Sequence, residues 1–167
     1  MAKKTCNLMT LALLALLVAA CSTLSPEEKA ARKLQTAMAV ERAIDTRTFR
    51  VEMEFMKPYR GMNRRLTSTY DIKVSGDTLY SYLPYLGGAY NLPYGGGKGL
   101  IWDAPLQDYV VTPMKKGYTQ IEMTAFNGED YFLYVLDLYP NGSADLYIRS
   151  RERDPIAFSG NLVIDYE

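Results

Sequence analysis

Six aromatic residues fall in or beside an unusually glycine-rich stretch: Tyr80, Tyr82, Tyr85, Tyr90, Tyr94 and Trp102, among Gly87, Gly88, Gly95, Gly96, Gly97 and Gly99. Large flat rings can stack on a sugar, a peptide or another protein, and glycine lets the backbone beneath them approach a ligand closely. Pro84 to Pro105 reads as a long loop without regular structure, and such loops are usually functional. These rings are therefore the candidate ligand- or partner-binding residues. The competing reading is that several tyrosines fill the end of a sheet while their hydroxyls reach water.

Catalytic chemistry is poorly provided for. The chain has no histidine, so the usual general base at neutral pH and the commonest zinc ligand are both missing. Ser68, Ser75, Ser81, Ser143 and Ser159 have Lys or Asp close in sequence, as any polar turn does. A glycosidase would need two carboxyls about 5–9 Å apart; among Asp103, Asp108, Glu122, Asp130 and Asp137 no spacing selects a pair. Asp137 is the most interesting of these, because it shares a strand face with Leu133 and Val135. Gly95 to Gly99 imitate a phosphate loop, but Leu92 stands where the first Walker glycine belongs, Gly99 where Ser or Thr should follow Lys98, and no helix comes next. The turns at Asn127, Glu129, Asp130 and at Asn141, Ser143, Asp145 lack the spacing of a calcium loop. No catalytic residue, metal site or cofactor is assigned, and the expected protein is a non-enzymatic binding or structural module. The alternatives are a hydrophobic-ligand carrier with an enclosed barrel cavity and a carboxylate-based hydrolase.

The elements that would position these rings are mostly strands. Ser25, Pro26 and Glu28 make a helix start with a capping box. Leu34, Ala37, Met38 and Ile44 then give an imperfect apolar stripe suited to lying across an open end of a sheet. Phe49, Val51, Met53 and Phe55 alternate with Arg50, Glu52 and Glu54, a strand with one dry face. Further alternating runs cover Leu66–Val74, Thr78–Leu83, Tyr109–Met114, Tyr118–Ala125, Phe132–Leu138 and Ala144–Arg149, with a last strand around Leu162, Ile164 and Tyr166. Asn127 and Gly128 suggest a type I′ turn in the central hairpin. The connections are hairpin-length and no second helix can serve as a crossover, so the fold class is mainly β: one N-terminal helix, then an antiparallel meander of about eight strands, curved or barrel-like.

Ahead of this domain lies a leader. Lys3 and Lys4 precede an apolar run from Leu11 to Ala20, too short to span a bilayer, which needs about 20 apolar residues. Leu17, Val18, Ala19, Ala20 and Cys21 then resemble the bacterial lipoprotein processing box. That resemblance implies residues 1–20 as signal peptide, lipidation at Cys21, a tether over 21–24 and a single domain over 25–167. The expected membrane partner is reached through acyl chains on Cys21; a single chain anchors only marginally, so two or three are expected. Cys6 leaves with the leader and Cys21 is consumed, which excludes a disulfide. Ser22, rather than Asp, follows the cysteine, and by the same resemblance this directs the protein to the outer membrane, periplasm-facing or surface-exposed. Of the 19 Lys and Arg two belong to the leader, leaving a slight excess of the 19 Asp and Glu. With no basic stripe, nucleic acid is not an expected partner; an envelope protein, peptide or glycan is.

The run Tyr82, Leu83, Pro84, Tyr85, Leu86, Gly87, Gly88, Ala89, Tyr90 resembles the signature of a family of short bacterial lipoproteins of the gut Bacteroides type, built on a domain of unknown function. The leader, the Phe49 strand and the ending Phe158, Ser159, Gly160 fit the same family, so the likeness covers most of the chain. Gly88 departs from it, standing where the family has Arg. The resemblance implies a lipoprotein with a β-rich domain and brings no catalytic residue.

Overall fold

The structure is a computed structural model that describes residues 25–90 and 99–164. Its contacts divide the chain into two units, 1–32 and 33–167. The described part of the first is the start of helix α1 (Pro26–Asp45). Its capping box forms as expected: the Ser25 amide donates to Glu28 Oε2 at 2.7 Å, and the Glu28 amide donates to Ser25 Oγ at 3.2 Å.

The second unit holds the rest of the helix and a closed antiparallel barrel. Its strands are β1 (Thr48–Pro58), β2 (Arg64–Ser75), β3 (Thr78–Leu83), β4 (Leu100–Met114), β5 (Tyr118–Phe126), β6 (Tyr131–Leu138), β7 (Ser143–Ser150) and β8 (Ile156–Leu162). Each pairs with its sequence neighbour, and β8 closes onto β1 with Val51 opposite Leu162 and Pro58 opposite Ile156. Period-two alternation sends Ile72, Leu79, Ile121, Met123, Tyr134, Leu136 and Phe158 to the interior, where they are fully buried. An eight-stranded barrel is just wide enough for its own side chains to fill.

Closure needs one close backbone approach. A Cβ on Gly160 would lie 1.9 Å from the Glu52 carbonyl oxygen, so β8 can meet β1 there only as glycine. The same region carries a bulge between Met53 and Phe55. The bulge inverts the alternation expected for this strand: Phe55 turns outward, 41 % exposed, and Met56 takes the buried position.

Three further expectations are corrected. The stretch taken as loop up to Pro105 enters β4 at Leu100, because Leu100, Trp102 and Ala104 alternate inward against Leu83, Ser81 and Leu79 of β3. Asn127 and Gly128 do not make a two-residue turn; Phe126 pairs with Tyr131, only Gly128 of the two has positive φ, and Asn127 Oδ1 accepts from the amides of Glu129 and Asp130, both at 2.9 Å. The last strand begins at Ile156, directly after Pro155.

The barrel has two unlike ends. One gathers the β2–β3, β4–β5 and β6–β7 turns, and Val40 and Ile44 of α1 join the core there. Of the expected stripe the helix buries Ile44 and half-buries Ala37 but leaves Leu34 and Met38 exposed, with Thr36 and Val40 buried in their place. Tyr109 donates its hydroxyl to the Ile44 carbonyl at 3.3 Å. Arg47, with φ of 49°, turns the chain out of the helix; its carbonyl accepts from the Gly76 amide at 2.9 Å, and its guanidinium lies 4.6 Å from the Tyr109 ring centre. The opposite end, the mouth, gathers the β1–β2, β3–β4, β5–β6 and β7–β8 connections.

Candidate functional site

The mouth is where the motif-bearing segment is held. After Leu83 the chain runs through Pro84, Tyr85 and Leu86 and lies against the β7–β8 turn, with Ala89 bridged to Arg153. The Tyr90 amide donates to the Glu152 carbonyl at 2.8 Å, and the Asp154 amide donates to the Gly88 carbonyl at 2.9 Å. Asp154 then closes a clasp with its side chain: Oδ2 accepts from the Gly88 amide at 2.9 Å, and Oδ1 accepts from the Tyr90 hydroxyl. The Tyr85 hydroxyl lies 2.7 Å from the Gly88 carbonyl oxygen and 3.1 Å from that of Asp154, so one proton serves two acceptors.

This geometry explains the glycines physically. Neither Gly87 nor Gly88 has positive φ. A Cβ on Gly87 would instead sit 2.6 Å from the Tyr85 hydroxyl, and one on Gly88 would sit 3.0 Å from Asp154 Oδ2. A side chain at either position would push on the clasp itself.

The electrostatics follow from the same contacts. The hydrogen bond from Tyr90, then that from the Gly88 amide, hold the Asp154 carboxyl below the usual carboxylate range. The same Tyr90 bond raises the Tyr90 phenol, while Tyr85 is raised first by burial and then by the charge of Asp154. The charge of Arg60 acts on both Tyr90 and Asp154, pulling their pKa values down, and its guanidinium lies 5.8 Å from the exposed Tyr59 ring. Arg153 is only 6 % exposed, stands 5.5 Å from the Tyr85 ring centre, and leaves its Nε without a hydrogen-bond partner. An ionised carboxylate bonded to a neutral phenol is poised at the wrong end of the scale for proton transfer at neutral pH. It is well suited to fixing one loop against another.

The five rings among the described residues separate into three groups. Tyr85 and Tyr90 come together through Asp154. Tyr80 and Tyr82 point outward from β3, where Tyr82 stacks on Tyr70 at 5.6 Å and Lys73 lies 5.6 Å from the Tyr80 ring centre. Trp102 lies inside the barrel, 7 % exposed, packed at 5.0 Å on Phe132 and 5.6 Å on Tyr134, because its place in β4 puts it on the inward face. Tyr94 and Cys21 lie outside the described residues.

The acidic candidates do not gather in a cleft. Asp103 and Glu122 project outward from β4 and β5, Asp108 accepts from the Thr124 hydroxyl at 2.8 Å, and Asp137 accepts from Gln120 Nε2 at 2.9 Å. Asp130 is buried in the β5–β6 connection. Among the described residues no group of three or more His, Cys, Asp or Glu is placed to hold a metal.

Sequence reasoning missed Asp154, Arg153, Tyr59 and Arg60. The run Arg151, Glu152, Arg153, Asp154, Pro155 looks like a solvated turn. Its one distinguishing signal was density of charge, which does not say that one arginine is buried and one carboxylate is spent on a loop 64 residues away.

A search of curated proteins finds no match. Among solved structures the chain is similar to a DUF4251 family protein from Bacteroides eggerthii, at 17 % identity and a TM-score of 0.58, over 80 % of this chain and 90 % of that one. At that identity the likeness speaks for the fold. The model of a domain of unknown function, DUF4251, matches residues 31–162. That span takes in all eight strands and the clasp, and the chain belongs to the DUF4251 family.

Proposed function

We propose that this protein is a lipid-anchored cell-envelope module that binds a partner or ligand at the barrel mouth without catalysing a reaction. The observation that carries the reading is the clasp: it fixes the backbone of residues 85–90 while leaving the Tyr90 ring 68 % exposed. A ring held in place in advance loses little freedom when a ligand stacks on it, which is how preorganised sites gain affinity. Tyr59 and Arg60 beside it supply a second exposed ring and a cation. A binding site here accounts for holding the glycine-rich motif rigid with its aromatic side to solvent.

The anchor rests on the leader and Cys21, with Ser22 supporting the outer membrane as address. The barrel's outward positions support attachment by lipid rather than by the strands. Arg50, Glu52, Glu54, Lys73 and Asp103 face out and are exposed, whereas a membrane-spanning barrel carries an apolar band there. The interior positions are taken by Phe132, Tyr134, Phe158 and their neighbours, which favours the mouth over the interior as the place for a ligand.

Two experiments test the two halves. Palmitate labelling of the native protein should disappear in Cys21→Ala; labelling that persists rules out the anchor at that residue. Titration of isotope-labelled protein with glycan and peptide panels should move the amides of Tyr59 and Tyr85–Tyr90, and should fail to do so in Tyr90→Ala. A panel that moves other residues and leaves these still would overturn the mouth as the site.

A further inference from the structure

We propose that a groove on the outer wall of β4–β7 binds an acidic saccharide through Arg149 and Arg151. The groove has a volume of about 450 Å³, and Gln107, Asp108, Thr124, Tyr131, Arg149 and Arg151 are among the residues lining it. Its floor is a row running straight across four strands, Asp108 opposite Thr124, Thr124 opposite Leu133 and Leu133 opposite Arg149. The groove shares the β7–β8 connection with the mouth clasp through Arg151 but uses none of the clasp's residues.

Three charged side chains line the groove, and the only negative one is already engaged, since Asp108 accepts from the Thr124 hydroxyl at 2.8 Å. Neither arginine has a carboxylate partner among the described residues. The Arg151 guanidinium lies 5.2 Å from the Tyr131 ring centre, and Tyr131 packs on Phe126 at 4.6 Å, so a cation–π contact holds the arginine over a pair of rings. A guanidinium offers a planar fork of N–H donors to an oxyanion.

The neutral side chains beside the arginines, Gln107 and Thr124, carry donors and acceptors that match the hydroxyls of a sugar ring. An extended acidic peptide fits less well. Peptides commonly add as a strand to a free sheet edge, and β4 to β7 each pair on both sides within a closed barrel. The occupant with the right chemistry is a small hydroxylated ring carrying a carboxylate.

The test is an amide-shift titration of full-length protein with trigalacturonate, a neutral galactose trisaccharide, triglutamate and inorganic phosphate. Trigalacturonate should shift Gln107, Thr124 and Arg149–Arg151, with the neutral trisaccharide inert and triglutamate and phosphate far weaker. R149A/R151A should weaken trigalacturonate roughly tenfold or more, the loss expected for charge-assisted hydrogen bonds. R151K, which keeps the charge but loses the planar fork, should weaken it less. Both arginines are exposed, so these variants should keep the fold. The proposal falls if the neutral sugar binds as well, if triglutamate or phosphate matches trigalacturonate, or if R149A/R151A binds normally.

Discussion

The two ends of the barrel are closed by different physics. At the helix end Val40 and Ile44 bury apolar surface in the same core as Ile121 and Leu136, and the hydrogen bond from the Tyr109 hydroxyl to the helix backbone is partly shielded from water. At the mouth the closure is polar: a carboxylate, two phenols and six backbone groups tie one loop to one turn while the outer ring stays in solvent. Apolar burial is non-directional and contributes to global stability. Exposed hydrogen bonds contribute little net stability but define a geometry. The helix end is therefore built to hold the barrel shut, and the mouth is built to present a shape.

The largest expected effect lies at the helix end. Ile44→Ala removes a buried side chain from the shared core and should lower unfolding free energy by about 2–5 kcal/mol, read by chemical denaturation. A value near zero would break the contrast, because it would make the helix as dispensable to the barrel as the clasp.

Alkaline pH is the next lever, and it acts at the same end. Burial pushes the Tyr109 phenol up to about 12 from an ordinary value of 10.0, outweighing the opposing pull of Arg47. A group raised in the folded state favours folding below its unfolded value and loses that contribution as pH climbs towards the folded one. Stability should thus fall between about pH 10 and pH 12, and Tyr109→Phe should flatten that part of the profile.

Asp154→Ala should do the reverse of Ile44→Ala. Amide exchange at Gly88 and Tyr90 should accelerate several-fold, consistent with local opening, while the denaturation midpoint stays close to that of the wild type. A large drop in global stability would show that the mouth is structural after all.

The smallest and most specific effect is acid release of the same clasp. The Asp154 carboxyl is held below its ordinary value of 3.8 by Tyr90 and the Gly88 amide, so its contribution is present above that value and lost as pH falls through the lowered one. Exchange at Gly88 and Tyr90 should rise in that acid range in the wild type and show no such dependence in Asp154→Ala.

Particular residues show how far the chain could be read without its fold. The capping box at Ser25 and Glu28 and the alternation of Ile121, Met123 and Ala125 were legible, because a cap and a strand face are set by neighbours within a few positions. Phe55 was misplaced because a bulge changes the count by one residue, and the bulge answers to β8 across the seam. Trp102 reads as a loop ring in the sequence, since nothing near it announces that Leu100 begins a strand against Leu83. At the site, the motif from Tyr82 to Tyr90 stood out by composition, but Asp154 did not.

Local periodicity and spacing of turns were enough to establish a mainly β chain with one leading helix, because each depends on residues close together. Closure of β8 onto β1, the burial of Arg153 and the joining of Tyr85 and Tyr90 through Asp154 were decided only by the tertiary structure. Each of these unites residues more than sixty positions apart, and at that distance the packing of the whole barrel, rather than any nearby pattern, selects the partner.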